Sequence, residues 1–470
     1  MQRKITVIAL ILILSIKMFG QYEITVKIKD LPGRKIILAQ YYGDKNYIID
    51  TLILNSKGIG VFKGDKSLKE GLYLIVLPSR NYLDFIVEGN QKFTLEFSNA
   101  SDILQMVGKL SVKGSEPNQI FKEYQLFMFE RTKAIMDLKV VVNDKQKSDF
   151  ARQKAQEQID KLTKEISQKQ QEIIQKYPQS LLAKIVKMFL DIEVPAIGDE
   201  INGIRVDSVY QYNFYKDHYF DNVDFSDGRL VLTPVYHARL ANFYDKVVAP
   251  ISDSIIAASR VLFAKIPEDS EFFSYTLQYL FNKYSQSKIM GHDKVVVYLA
   301  DTYYLRGKTP WITDDFKKKL TERIERMRYN QIGNVAPNLE KAQTPDGYFY
   351  PLHSVNGKAI LLIFWDPDCG HCKKEIPQIL EFYHKYHQKG FDVYAFYTQN
   401  NVDEWKKAIQ NFQIEDWINV YDPFNFTNFR TLYDVYSTPM LYLLDQNKKI
   451  VAKRFSIDSL ESLLNEFLTK

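Results

Sequence analysis

An unbroken apolar run, Ala359 to Trp365, stops at Asp366-Pro367-Asp368 and is followed at once by Cys369-Gly370-His371-Cys372, which holds the only two cysteines of the 470-residue chain. The run has the length and composition of a buried parallel strand, and Ile376, Ile379, Leu380 and Phe382 then recur at helical spacing, so a helix is expected from Cys369 to about Tyr386. Cys369 thus stands where a strand hands over to a helix. Unpaired backbone N–H groups and the positive end of the helix dipole stabilise a thiolate there, so Cys369 is expected to have a depressed pKa and to be the nucleophile. Cys372 is expected to point inward and to resolve the mixed disulfide. Gly370 permits close approach, and positive charge on His371 favours the thiolate over the disulfide, which moves the pair toward the oxidising side.

Zinc sites use the same cysteine spacing. A structural zinc takes about four ligands, however, and no second cysteine pair exists; only His371, His384 and His387 lie near in sequence. A structural disulfide would close a loop of two residues and stabilise little. Redox chemistry without a metal or an organic cofactor is the reading that uses both sulfurs.

A second motif lies about 70 residues further on, at Tyr436-Ser437-Thr438-Pro439-Met440, ahead of the strand-like Leu441 to Leu444. Taken with the cysteine stretch, it resembles the thioredoxin superfamily, in which such a pair has a cis peptide bond and faces the reactive cysteine. The resemblance implies that the backbone of Thr438 pairs with an extended substrate peptide beside Cys369. It also implies that Trp365, Gly370, His371, Thr438 and Pro439 form the substrate-binding surface. From about Gly333 to Lys470 the chain resembles the thiol-disulfide interchange proteins of the TlpA and ResA type. Val335-Ala336-Pro337-Asn338-Leu339, the hairpin signal Pro345-Asp346-Gly347, Glu375, Pro377 and Thr438-Pro439 carry that likeness. One departure concerns proton transfer. Many thioredoxins have a buried carboxylate six residues before the first cysteine, where this chain has Ile363. Glu375, three residues after Cys372 on the same helix face, is within reach of it and is the expected proton acceptor, with burial raising its pKa. A peroxidase of the peroxiredoxin kind wants Thr three residues and Pro seven residues before its cysteine; here those residues are Asp366 and Leu362.

Met1 to Gly20, with Arg3, Lys4 and the apolar run Ile5 to Ile16, reads as a secretory signal peptide. The run is short for a membrane span, although Lys17 and Met18 make a poor cleavage context and leave an uncleaved anchor open. Export to the periplasm or cell envelope follows. There a dithiol needs a dedicated partner to stay reduced.

A chain of this length exceeds one core, and two or three domains are expected. Lys and Arg exceed Asp and Glu by five with no long basic block, so no nucleic-acid footprint is present. Residues 21–115 alternate short β-rich runs with turns such as Pro32-Gly33 and Glu88-Gly89-Asn90, which predicts a small antiparallel β-sandwich. This region resembles a β domain of unknown function found ahead of thioredoxin-like domains in envelope proteins, on Ile49-Asp50-Thr51 and the exit Val112 to Asn118. Residues 116–330 turn to helical periods. Ile159, Leu162, Ile166 and Ile173 line one helix that is expected to form a hairpin with the helix carrying Phe121, Tyr124 and Met128, ending at Pro178. His218 to Asp227 contains one histidine and three aspartates, which could be drawn as a metal site; turn and cap roles for Asp224, Ser226 and Asp227 suit them better. This part resembles a second uncharacterised envelope module.

The expectation is a multidomain, exported protein: signal peptide 1–20, β-sandwich 21–115, helical domain 116–330 and an α/β thioredoxin-like domain 331–470. Its activity is disulfide exchange with protein substrates through Cys369 and Cys372. The resemblance implies reduction or interchange, with cysteine-containing envelope proteins and a membrane thiol donor or acceptor as partners. Reference couples for the two directions lie near about −270 mV and about −180 mV. The rival is an envelope binding protein with an auxiliary thioredoxin domain, because two thirds of the chain has no catalytic signature.

Overall fold

The computed structural model describes residues 21–98 and 103–468. The expected signal peptide lies outside the described residues. Among those described, no helix is long and apolar enough to cross a membrane. The chain divides into two compact units, Met1–Val247 with Lys265–Phe272 and Val248–Ala264 with Phe273–Lys470.

The first unit begins with eight strands: β1 (Tyr22–Lys27), β2 (Lys35–Tyr42), β3 (Lys45–Ile53), β4 (Ile59–Gly64), β5 (Gly71–Val76), β6 (Tyr82–Val87), β7 (Lys92–Glu96) and β8 (Ser111–Lys113). They form two four-stranded sheets, ordered β4-β1-β7-β8 and β3-β2-β5-β6. Alternate residues of both sheets, among them Ile24, Val26, Ile36, Leu38, Ile75, Phe85 and Leu95, close on one shared core. This is the expected sandwich with one correction: β1 and β7 pair in parallel. Most of the intervening strands lie in the other sheet, so no hairpin dictates the direction of that pair. Edge strand β6 is covered by a side chain. The buried Asn118 amide accepts from Ile86 N–H and donates to Ile86 C=O, both at 2.7 Å, which satisfies backbone groups that a neighbouring strand would otherwise take.

Asn118 belongs to helix α1 (Glu116–Asn143), capped by Ser115, and α2 (Asp149–Lys176), capped by Ser148, follows after a short turn. The two form the expected hairpin, with Tyr124, Ile159 and Ile173 buried. The carboxylates of the 218–227 stretch are held by cations and hydroxyls from within the stretch and from Lys184, Arg229 and Lys265. Asp227 binds Lys184 and Arg229 at 2.7 Å each, Asp221 binds His218 at 2.5 Å and Lys265 at 2.8 Å, and Asp224 accepts from Ser226 at 2.5 Å.

The second unit contains helix α3 (Asp314–Tyr329) and then a five-stranded sheet. Its elements are β9 (Ala359–Trp365), α4 (Cys372–Tyr386), β10 (Phe391–Tyr397), α5 (Val402–Phe412), β11 (Ile418–Tyr421), β12 (Met440–Asp445), β13 (Ile450–Lys453) and α6 (Leu460–Leu468). The strand order is β11-β10-β9-β12-β13, with β9, β10 and β11 parallel and β12 antiparallel to both of its neighbours, β9 and β13. β9 is central, and all seven of its residues are buried. Ala359, Leu361, Ile363 and Trp365 face α4, α5 and α6, while Ile360, Leu362 and Phe364 face a second core with Leu339, Tyr433 and Tyr442. Burial on both faces explains why the run shows no polar alternation. Residues Gly333 to Ala336 run alongside β13, with Ala336 N–H on Lys448 C=O and Ile450 N–H on Asn334 C=O.

A buried cation ties the helical part of this unit to the sheet. The Lys453 side chain is 5% exposed; its ammonium donates to the Asp293 carboxylate and to both the backbone C=O and the side-chain oxygen of Asn330. Removing one partner of such a pair strands a charge in a poorly hydrated place. Asp293→Ala is therefore expected to lower the unfolding free energy of the second unit by about 3 kcal/mol. Urea denaturation of the full chain measures it, and an unchanged midpoint would mean that Lys453 reaches water without Asp293.

Candidate active site

The end of β9 delivers the chain into a tight turn. Asp366 organises it: its side chain accepts from Asp368 N–H at 2.8 Å and from the Gln399 amide at 2.9 Å, and its carbonyl accepts from Cys369 N–H at 3.1 Å. Helix α4 starts at Cys372, so the helix expected from Cys369 is shorter by three residues; Cys369, Gly370 and His371 occupy the turn in front of it. No side chain caps this helix, because His371 is at the N-cap with no such hydrogen bond. The first N–H of the helix, that of Cys372, is left to a sulfur, while those of Lys373 and Glu375 bond the carbonyls of Cys369 and His371.

Cys369 uses that position. It is partly exposed, and its Sγ accepts from Cys372 N–H at 3.2 Å. As a thiol it also donates to Thr438 C=O at 3.1 Å. Burial pushes the Cys369 thiol up, but hydrogen bonds from the side chains of Cys372 and Thr438 and from the backbone of Cys372 and His371 outweigh it, leaving the group below its ordinary value of 9.0. Cys372 is fully buried among Ile363, Ile376 and the α4–sheet core. Burial first, and then the neighbouring Cys369, push its thiol up to about 12. The two sulfurs are thus electrostatically unlike: one is ready to ionise in contact with solvent, and the other is held protonated inside.

The Thr438–Pro439 bond is cis, and these residues bring a backbone carbonyl against Cys369 across 69 residues of sequence. Gly370 is open, with no atom within 4 Å of where a Cβ would stand. His371 is exposed at the same rim. Glu375 is half-buried on α4; burial raises its carboxyl, Asp458 adds to that effect, and His371 opposes it. Trp365 is not brought to this surface. It is fully buried, with Tyr397 at 6.3 Å and Phe412 at 6.2 Å between ring centroids, so its side chain is core. Asp458 was not legible as a neighbour of Glu375, since it arrives from the other end of the domain, just before α6. Among the described residues, no group of three or more His, Cys, Asp or Glu is placed to hold a metal ion.

Residues 356–450 match a family described as Thioredoxin-like. Residues 22–121 and 147–330 match two domains of unknown function, DUF4369 and DUF5106. The thiol-disulfide oxidoreductase ResA of Bacillus cereus is 31% identical over 139 residues, which is 28% of this chain and 75% of that protein. The chain belongs to the thiol-disulfide oxidoreductase family. The ResA protein of Bacillus subtilis is 30% identical over 141 residues, 29% of this chain and 73% of the relative. A solved domain of a possible thiol-disulfide isomerase from Cytophaga hutchinsonii is 39% identical, covers 29% of this chain and 93% of its own, and has a TM-score of 0.28. The likeness to ResA lies within less than a third of this oxidoreductase.

The contrast between the two thiols is directly measurable. In the reduced full-length oxidoreductase, iodoacetamide is expected to alkylate Cys369 with a pH midpoint below 9.0 and to spare Cys372 at neutral pH. The sign follows from ionisation, because a lowered pKa makes the thiolate present at lower pH. Peptide mapping that found Cys372 modified first would contradict this order.

Proposed function

We propose that this oxidoreductase exchanges disulfides with exported cysteine-containing proteins, acting as a reductase or interchange protein, with Cys369 as attacking and Cys372 as resolving thiol. The observation that carries the reading is the asymmetry of the pair: a partly exposed thiol of lowered pKa three residues from a buried one pushed up to about 12. In the reducing direction, the Cys369 thiolate attacks one sulfur of a substrate disulfide and expels the other as a thiolate. Cys372 then loses its proton and attacks Cys369 Sγ. The second substrate sulfur leaves, the substrate has gained two electrons, and the enzyme holds the Cys369–Cys372 disulfide. A membrane thiol donor restores the pair.

Thr438 and Pro439 bound the groove in which the substrate chain lies, and Gly370 and His371 form the opposite rim. The Thr438 carbonyl that meets Cys369 becomes available to a substrate N–H once the thiol ionises. Glu375 accepts the Cys372 proton. A carboxyl with a raised pKa is a stronger base than an ordinary one, and Ile363 leaves no carboxylate on β9 to take that role. Export is read from Arg3, Lys4 and the apolar run behind them, and the thioredoxin-like domain from residue 331 onward is the catalytic part.

Two substitutions separate the steps. Cys372→Ser is expected to accumulate mixed disulfides with envelope proteins, whereas Cys369→Ser accumulates none; the reverse pattern would exchange the two roles. Glu375→Gln is expected to slow release of the mixed disulfide by about a hundredfold near neutral pH while the first attack is largely preserved. Stopped-flow measurement of both phases checks it, and equal phases in the variant and the parent would remove Glu375 from the mechanism.

A further inference from the structure

The segment that leads into Thr438 borders a charged cleft that the exchange chemistry does not use. Two connected cavities, of about 430 and about 220 Å³, lie between the helical part of the second unit and its sheet and share Asp293, Arg323, Met327, Lys453 and Arg454. The larger adds Lys288; the smaller adds Arg326, Asp434 and Tyr436. Five cations therefore meet two carboxylates, and both carboxylates are engaged. Asp293 holds the buried Lys453, and Asp434 is shared by Arg454 and by Arg326, whose Nε is 3.6 Å away. No carboxylate among the lining residues remains for Lys288 and Arg323, which are exposed. A concave site with walls of low polarisability strengthens such an excess of one sign.

The smaller cavity reaches the segment that carries Thr438. Arg326 places its guanidinium 5.0 Å from the centroid of the Tyr436 ring, and Tyr436 is 68% exposed. It precedes Thr438 by two residues, and Thr438 C=O lies 3.1 Å from Cys369 Sγ. Residues 436 to 438 form bends ahead of the strand that starts at Met440, so a peptide whose cysteine meets Cys369 and which continues past Thr438 toward Tyr436 covers that short stretch with about two residues, at about 3.3 Å each. The residues that follow would then lie against the cavity that Tyr436 lines. We propose that this cleft selects substrate proteins with acidic residues about two to four positions from the target cysteine, Arg323 and Lys288 supplying the unbalanced charge. The inference rests on the exchange reading and deepens it by naming the substrate class. It also gives the helical segment a part in substrate choice.

The test uses the reduced full-length chain and disulfide-linked peptides that differ only in carrying Asp or Lys at those positions. At low salt the Asp peptide is expected to have a kcat/KM about five- to tenfold higher than the Lys peptide, and the advantage is expected to shrink in concentrated salt. Arg323→Glu and Lys288→Glu are each expected to lower the Asp-to-Lys ratio, and the double variant to invert it. Equal rates for the two peptides, or a ratio that neither variant moves, would overturn the proposal while leaving disulfide exchange in place. Failure to reduce either peptide would overturn the exchange reading itself, and this proposal with it.

Discussion

Burial of β9 on both faces is the constraint from which the site follows. Its seven residues contribute to two cores at once, and each large aliphatic or aromatic side chain so buried is worth about 1.5 to 3 kcal/mol relative to exposure. Phe364 alone meets the rings of Phe396, Phe429 and Tyr433 at centroid distances between 5.0 and 5.6 Å. A strand held this firmly cannot shift in register without turning every side chain to the wrong core. The turn at Asp366 therefore begins at a fixed place, and Cys369 is presented to solvent while Cys372 is drawn back under α4.

That division of one short motif between surface and core makes the two thiols unlike. The same burial acts on both sulfurs in the same sense, upward, yet the outcomes differ. Cys369 has backbone N–H groups and neighbouring side chains to offset desolvation, and Cys372 has mainly Ile363, Ile376 and a second sulfur around it. Local hydrogen bonds offset burial at Cys369 and do not at Cys372. Ile363 is apolar and packs against Cys372, while Glu375 on the helix is half-buried with its carboxyl shifted upward by burial.

The second unit is more than a thioredoxin-like sheet. Asp293 and Asn330 come from the helical region and hold a lysine of the sheet's edge strand, and Arg326 reaches the loop that carries Tyr436. The catalytic sheet and the helices from Phe273 onward thus share buried polar contacts whose rupture would leave charges unpaired. The sandwich of the first unit follows the same accounting on a smaller scale, where Asn118 covers an open strand edge with one amide.

The sequence by itself determined the elements and their chemistry. Ala359 to Trp365 reads as a doubly buried strand because it has no polar alternation, the β-rich runs of the first hundred residues declare themselves by turns, and two cysteines three apart leave few alternatives to redox exchange. Those signals are local, carried by residue types within a few positions of one another. What only the tertiary structure decided depends on residues distant in the chain. The carbonyl of Thr438 against Cys369, the approach of Asp458 to Glu375, the parallel pairing of β1 with β7 and the Lys453–Asp293 pair have no local signature. The position of Trp365 shows the limit in the other direction: the family resemblance implied a place on the substrate-binding surface, yet the alternation of β9 turns its side chain into the core with Ile363. Proximity in sequence specifies which residues can share an element, but the direction of each side chain is settled by the face that packing demands.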